Sequence, residues 1–365
     1  MSDRSIAVTN IEKKLKQDLM ENNKPEQIIE RLWDSIKENK LHRLLMDSEI
    51  AERNISVEEY LEVLRRFAHV NGGFAFAFHV HQVAVNILSQ LMNQQQKEAL
   101  KDMLEQGKVF GLARSEAKME TRHHFKTTIQ KEGSGFALFG RKDYCTLAGI
   151  ADYYVVFSQS DILDPKPERV QVCLVDGNRP EVEVNKTCQL EALISSCTYS
   201  LIFHGYKLVS SELIGNPGDF QRIEDPDLLP LGICAINMGM ADSILAKFIE
   251  NIKVMEGFEK EESLQTLGKM DVRKRGAELL VDESIKIRPP HKEASLCLRR
   301  AKGAVDEYVN WTAEEVLRLL GSTGLMGSHH FIELRNDVRA SSFMPPNYRK
   351  CLYDIGKGVM AKILK

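Results

Sequence analysis

The sequence predicts an α+β protein in which two helical regions flank a central β-domain. Three observations carry that expectation. Residues from about 10 to 105 repeat their apolar side chains at helical spacing. Residues from about 108 to 214 shorten that period to strand-like alternation, and from about 226 the helical period returns. The boundaries implied are 1–107 for an N-terminal helical domain, 108–215 for a central antiparallel β-domain and 216–365 for a C-terminal helical domain.

The elements follow in order. Ile28, Ile29, Leu32, Trp33 and Ile36 make one helical face just after Pro25, a residue suited to a first turn. Ser56-Val57-Glu58-Glu59 is a capping-box sequence: the hydroxyl can accept from a free N–H while Glu59 reaches back. Tyr60, Leu61, Leu64 and Phe67 follow at the same period until Asn71-Gly72-Gly73 breaks it. The next segment, FAFAFHVHQVAVNIL, reads equally as a buried helix or a strand. In the middle region, KEGSG separates HFKTTI from FALFGRKDY, which predicts a hairpin. YYVVFS is β-branched and aromatic, and Val170, Val172 and Leu174 alternate with Gln171, Cys173 and Val175. In the last region Ala241, Ile244, Leu245, Phe248, Ile252 and Met255 form one face, and Val305, Tyr308, Val309, Thr312, Val316 and Leu319 another.

Composition narrows the function classes. The 365 residues carry 49 Lys+Arg against 52 Asp+Glu, a net charge of −3, which leaves no electrostatic footprint for nucleic acid or an anionic membrane surface. The N-terminus has no apolar signal core, and no run reaches the roughly 20 apolar residues that span a bilayer. The expectation is a cytoplasmic protein. Seven scattered cysteines without CxxC spacing imply neither a disulfide framework nor a metal site.

Several segments resemble the acyl-CoA dehydrogenase superfamily of flavoproteins. GSGFALFGRKDYCTLAGIADYYVVFS is similar to the family run of Gly-rich hairpin, G-x-K, aromatic, Thr and A-D. IFHGYKLVSSELIGNPGDF resembles the strand closing the family's β-domain, and NMGMADSILAKFIENI the first long helix of its C-terminal bundle. LRLLGSTGLMGSHHFIELRNDVRA resembles the glycine turn and the R-D-x-R helix after it. These pieces span about residues 56 to 360 in the family's order. The resemblance implies a C-terminal four-helix bundle and a bound flavin, FAD, held between the β-domain and that bundle. It also implies a homodimer or homotetramer.

Residue by residue, the resemblance assigns cofactor binding to Leu112, Arg114 and Ser115, whose main chain would hold the flavin pyrimidine. Thr146 falls where the family places a hydroxyl near flavin N5, and a donor there stabilises the electron density that reduction puts on the ring. A strand Thr chosen for its branched side chain is the plainer reading. Glu120-Thr121 stands where Gly-Ser is usual; Thr121 keeps a hydroxyl, but the backbone freedom of Gly is lost. Gly321 and Gly324 match the turn that meets the cofactor phosphates. Arg318 replaces the usual Gln and reads either as a pyrophosphate ligand or as a solvent-facing cation at a helix C-terminus. Met255 replaces an Arg that serves a neighbouring subunit's cofactor.

The family's catalytic Glu is missing. One of its two positions holds Pro345 and the other Leu229. The nearest carboxylates are Glu224, Asp225 and Asp227, of which Asp227 and Glu224 are the candidate bases; capping and dipole effects alone also favour acids before a helix. His330, beside His329, is a candidate from the next loop, whereas His79 and His81 make a poor metal pair. Three readings follow. The first is an FAD-dependent dehydrogenase of an acyl thioester, carried by coenzyme A or an acyl carrier protein, with an electron-transfer partner. The PPNYRKCLYDIGKG ending resembles relatives from specialised biosynthesis and favours the carrier protein. The second is a reduced-flavin monooxygenase of the same superfamily; the third is a degenerate non-catalytic subunit.

Overall fold

A computed structural model of the chain describes residues 3–21, 23–45, 55–117, 124–133, 135–160, 166–187, 190–223, 228–253, 261–326 and 330–363. Helices α1 (Asp3–Met20), α2 (Pro25–Glu38), α3 (Val57–Val70), α4 (Gly72–Leu91) and α5 (Gln94–Glu105) come first. Strands follow: β1 (Phe110–Ala113), β2 (Thr128–Glu132), β3 (Gly135–Cys145), β4 (Tyr153–Gln159), β5 (Val170–Asp176), β6 (Val182–Asn185), β7 (Tyr199–Leu208) and β8 (Leu213–Ile214). Helices α6 (Leu228–Lys253), α7 (Glu261–Lys286), α8 (Ala294–Leu320), α9 (Phe331–Ser341) and α10 (Tyr348–Ile363) complete the order. The helix–strand–helix sequence is thus the one expected.

The chain packs as two compact units. The first comprises Met1–Ser56, Ala77–Leu190 and Ile194–Ile223, the second Val57–Phe76, Glu191–Leu193 and Glu224–Lys365.

In the first unit, α2 begins with Pro25 at its first turn and buries the face Ile28, Ile29, Leu32, Trp33 and Ile36. The buried Trp33 indole donates to the Gly107 carbonyl at 3.2 Å. The segment that read as helix or strand is helix α4. Its length and all-round burial decide this: Phe78, His79, Val80, His81 and Gln82 are consecutive and all buried, so no polar face constrains the period.

The sheet runs β6-β7-β3-β2-β4-β5-β8, with β1 beside β4. The expected hairpin is present, β2 meeting β3 antiparallel with Glu132 opposite Gly135. Two expectations need correction. The sheet is mixed rather than antiparallel, because β1 pairs parallel to β4 from Phe110↔Tyr153 to Ala113↔Val156. Parallel pairing needs a long connection, which the intervening β2–β3 excursion supplies. Nor does β5 have a polar face: Val170 to Val175 are all buried. Gln171 tolerates this because its amide donates to the carbonyls of Val172 at 2.8 Å and Ile214 at 3.0 Å.

The second unit is helical. The longer helices α6, α7, α8 and α10 group around α8, with α9 against α6 and α8 and α3 against α6. The buried stripe of α8 includes Val305, Tyr308, Val309, Thr312 and Val316, as the periodicity requires. One segment corrects the expectation about apolar runs. Leu228–Asn251 is long and apolar enough to cross a bilayer, with mean hydropathy 1.6, but 83% of that window is buried inside the protein. A helix that is apolar on all sides is what a helix enclosed by others requires.

The α3–α6 crossing is close because Gly239 lies in it. A Cβ built there would sit 2.2 Å from the Arg65 carbonyl oxygen and 2.9 Å from the Ala68 Cβ. Above the crossing, Arg65 Nε bonds Asp242 at 2.6 Å and its Nη2 bonds Glu278 at 3.0 Å, while Lys274 reaches Asp242 at 2.7 Å. Gly239→Ala should push backbone against backbone and destabilise the protein by about 1–3 kcal/mol, read as a lowered Tm in a thermal melt. An unchanged Tm would contradict the close crossing.

Candidate functional site

The first unit places Leu112, Arg114, Ser115 and Thr146 around one end of β1. Leu112 pairs with Val155 on one side and bridges to Thr146 on the other, so two predicted site residues become neighbours. Beyond β1 the chain turns through Arg114, Ser115 and Glu116. The Arg114 guanidinium lies over the Phe157 ring at 5.1 Å. The Ser115 carbonyl accepts from the Asp143 N–H at 2.9 Å, and the Asp143 carboxylate accepts from the Ala117 N–H at 2.7 Å.

Beneath this turn lies a buried ion pair. Lys142 Nζ sits 2.6 Å from the Glu116 carboxylate, with side-chain exposures of 0% and 3%. The same carboxylate accepts the N–H groups of Lys126 at 2.6 Å and Thr127 at 3.1 Å. The ammonium also lies 4.1 Å from the centre of the Phe125 ring. Burial pushes Lys142 down to about 8, and the attraction of Glu116 opposes that fall. The pair therefore holds the Arg114–Glu116 turn against β3.

Thr146 follows β3 directly and is buried. Its hydroxyl lies 3.0 Å from that of Thr198, which lies 2.7 Å from that of Ser196. The backbone on both sides is in the left-handed region, Leu147 at φ 64° and Cys197 at φ 49°. The two turns are tied together by Leu147 N–H to the Ser196 carbonyl at 3.1 Å and Ala148 N–H to the Cys197 carbonyl at 3.0 Å. Strained non-glycine backbone of this kind persists only where surrounding contacts over-determine it.

The histidines of α4 are not ligands in waiting. His81 Nδ1 accepts from the Phe110 N–H at 3.0 Å, so Nε2 carries the proton given to the His42 carbonyl at 2.7 Å. Burial pushes this imidazole down to about 3, hence it is neutral. A cleft of about 320 Å³ in the same unit, lined by Trp33, Lys37, Lys108 and Gly149 among others, contains none of the predicted site residues.

The second unit holds the remaining candidates. Gly321 ends α8 at φ 56°, and no atom lies within 4 Å of where its Cβ would stand. Gly324 is packed instead, a Cβ there meeting Leu320 at 3.1 Å and Leu317 at 3.2 Å. Arg318 is exposed, and its guanidinium is engaged by Glu262 at 2.9 Å and Glu315 at 3.0 Å. This geometry is that of the solvent-facing cation at a helix end. His330 caps α9 in the left-handed region, exposed, with Nδ1 2.8 Å from Glu333. Asp337, in the motif helix, accepts the Leu193 N–H at 2.5 Å, and burial pushes its carboxyl up to about 6. Leu229 is in the first turn of α6, and Pro345 is exposed. Thr121, Glu224, Asp227 and Met255 lie outside the described residues.

No protein-family model matches the chain. It is 25% identical over 224 residues to a 3-(aryl)acrylate reductase of Clostridium sporogenes, a match covering 58% of each protein. It is 24% identical over 206 residues to the mitochondrial isovaleryl-CoA dehydrogenase of Pongo abelii, covering 55% of this chain and 49% of that one. The chain thus spans about half the length of the curated relatives it matches. Among solved structures, butyryl-CoA dehydrogenase from Megasphaera elsdenii matches at TM-score 0.82 and 19% identity, over 99% of both chains. The chain has the acyl-CoA dehydrogenase fold. FMN-bound TdsC from Paenibacillus sp. A11-2 shares it, at TM-score 0.84 and 16% identity, over 98% of this chain and 96% of that one. The resemblance to the acyl-CoA dehydrogenase superfamily therefore stands in both sequence and structure.

Within the acyl-CoA dehydrogenase fold, sequence reasoning left Lys142, Ser196 and Thr198 without a role. Lys142 had only a weak signal, since Arg141 and Asp143 flank it in the strand and no spacing ties it to Glu116. Ser196 and Thr198 had none, since nothing in their spacing points toward Thr146.

Two predictions test this geometry. Lys142→Met leaves a buried carboxylate unpaired and should cost about 3–5 kcal/mol, whereas adding Glu116→Gln should recover part of that loss. Urea unfolding of the single and double variants measures the coupling; strictly additive losses would dissolve the pair. Asp337 ionises at a higher pH when folded, so the stability it contributes while protonated is lost as pH rises from about 4 to about 6. Asp337→Asn keeps an acceptor for Leu193 and should be more stable than the parent at pH 7.5 by about 1–2 kcal/mol, the gap closing toward pH 4. Thermal melts across that range decide it, and a less stable variant at pH 7.5 would show the N–H···carboxylate bond outweighing burial.

Proposed function

We propose that this chain is an FAD-dependent oxidoreductase acting on an acyl thioester carried by coenzyme A or an acyl carrier protein. The observation that carries the reading is the buried Thr146 hydroxyl, set beside Leu112 on a turn braced by Glu116 and Lys142. The sequence resemblance matches it to the family's hydroxyl near flavin N5, which supports the reading. Isovaleryl-CoA dehydrogenase and 3-(aryl)acrylate reductase among the relatives support the substrate class.

The residues present fit a flavin. Leu112, Arg114 and Ser115 offer main chain on a turn that their own contacts fix. Thr146 offers a hydroxyl. In the second unit, by itself, Gly321 has a positive φ with open space beside it. FAD, when bound, supplies a two-electron acceptor. The chain must then orient the thioester, exclude water and take up the α-proton. With Pro345 and Leu229 at the usual Glu positions, the carboxylates of Asp227 and Glu224 are the proposed proton acceptors. His330 is already engaged by Glu333, which makes it the weaker choice.

A second reading, a reduced-flavin monooxygenase, is favoured by one observation: neither family position for the base carries a carboxylate. TdsC, a flavin protein of the same fold, supports it.

The purified protein should take up FAD, show a flavin spectrum and bleach anaerobically with an acyl or aryl thioester. A protein that binds no FAD would refute the proposal. Oxygen uptake with chemically reduced flavin, yielding hydroxylated product and no thioester-dependent bleaching, would select the monooxygenase.

A further inference from the structure

The hydroxyl of Thr146 is not alone. It is the outer member of a line of three, Ser196 Oγ to Thr198 Oγ1 at 2.7 Å and Thr198 Oγ1 to Thr146 Oγ1 at 3.0 Å. All three residues are buried, Ser196 at 1%, Thr198 at 8% and Thr146 at 4% exposure.

The count of protons sets the direction of the line. Three hydroxyls bring three protons, and two hydrogen bonds within the line consume two of them. One proton is left over, on either end or on Thr198 if both ends donate to it. At the inner end, Ser196 Oγ has Thr198 Oγ1 as its side-chain partner among the described residues. If its O–H turned elsewhere it would lose a water bond on burial with nothing in exchange. Thr146, by contrast, faces an acceptor if flavin N5 lies beside it, so the one arrangement that uses all three protons runs from Ser196 to Thr198, from Thr198 to Thr146 and from Thr146 to N5. The spare proton belongs to Thr146, which is then a donor with its own lone pair already occupied. The left-handed turns at Leu147 and Cys197, cross-bonded at 3.1 Å and 3.0 Å, hold the two ends of the line in register.

We propose that Ser196 and Thr198 are positioning residues that polarise the Thr146 hydroxyl outward, fixing it as a hydrogen-bond donor to N5 of a bound flavin. The proposal rests on the flavin reading above and adds two residues to it. A hydroxyl without this backing can turn either way, donating or accepting. A hydroxyl held as a donor withdraws density from the ring nitrogen at every moment and pays no reorientation during reduction.

The test is the oxidised–reduced equilibrium of FAD bound to the full-length protein, measured anaerobically against a reference dye, with FAD affinity measured alongside. Thr198→Val keeps the shape and removes the middle hydroxyl. It should shift the equilibrium about three- to tenfold toward oxidised flavin, while Thr198→Ser stays within about twofold of the parent. Ser196→Ala should shift it in the same direction by less, and it covers the case in which Thr198→Val does not fold. A merely structural role would change melting temperature and FAD affinity but not this equilibrium. FAD-bound variants with an unmoved equilibrium, or one moved toward reduced flavin, would overturn the proposal and leave the flavin reading intact. A parent protein that takes up no FAD overturns both.

Discussion

The pairing of Lys142 with Glu116 holds the candidate site in shape. Without it, the turn after β1 would be a short loop leaving the sheet. With it, the Glu116 carboxylate gathers a buried ammonium and two backbone N–H groups. Each partner is intolerable alone there, since an unpaired buried charge is far costlier than a paired one. The constraint is thus reciprocal. β3 must deliver Lys142 inward, and the Arg114–Glu116 turn must lie where Glu116 can meet it.

That requirement reaches Thr146 through the chain. Lys142 and Thr146 are four residues apart, separated by an irregularity in the β3–β7 register between Lys142 and Cys145. The irregularity lets β3 place Lys142 in the interior and then bring Thr146 against Leu112. The turn carrying Ser196 and Thr198 enters β7 alongside, so the hydroxyl line is built at one end of the β3–β7 pairing, with a contribution from each chain segment. The Arg114–Glu116 turn, the Thr146 hydroxyl and the ion pair that braces them are consequences of one local arrangement, and all of it lies in the first unit.

The second unit follows a different rule. Its core is the mostly apolar helix α6, packed by α3, α8 and α9. Close approach at Gly239 and the Arg65–Asp242–Lys274–Glu278 network fix the register of α3 on α6 and α7. Here the residues that the family resemblance marked are divided by their geometry. Gly321 has a positive φ and open space beside it, Gly324 serves packing, and Arg318 is committed to two surface carboxylates.

The order of helical and strand regions was legible in the sequence, because hydrophobic period is a local property that the chain carries wherever it folds. So were the α2 start at Pro25, the β2–β3 hairpin, and Leu112 and Thr146 as partners in one site by resemblance. The missing Glu at Pro345 and Leu229 was also plain, since identity needs no geometry. Only tertiary structure decided that α4 is a helix, since burial on all sides erases the period that would have shown it. It alone decided the parallel β1–β4 pairing, which joins residues some forty positions apart, and the contacts of Lys142, Ser196 and Thr198. These last depend on distances between side chains from different strands, and a linear sequence does not encode such distances until the sheet has formed.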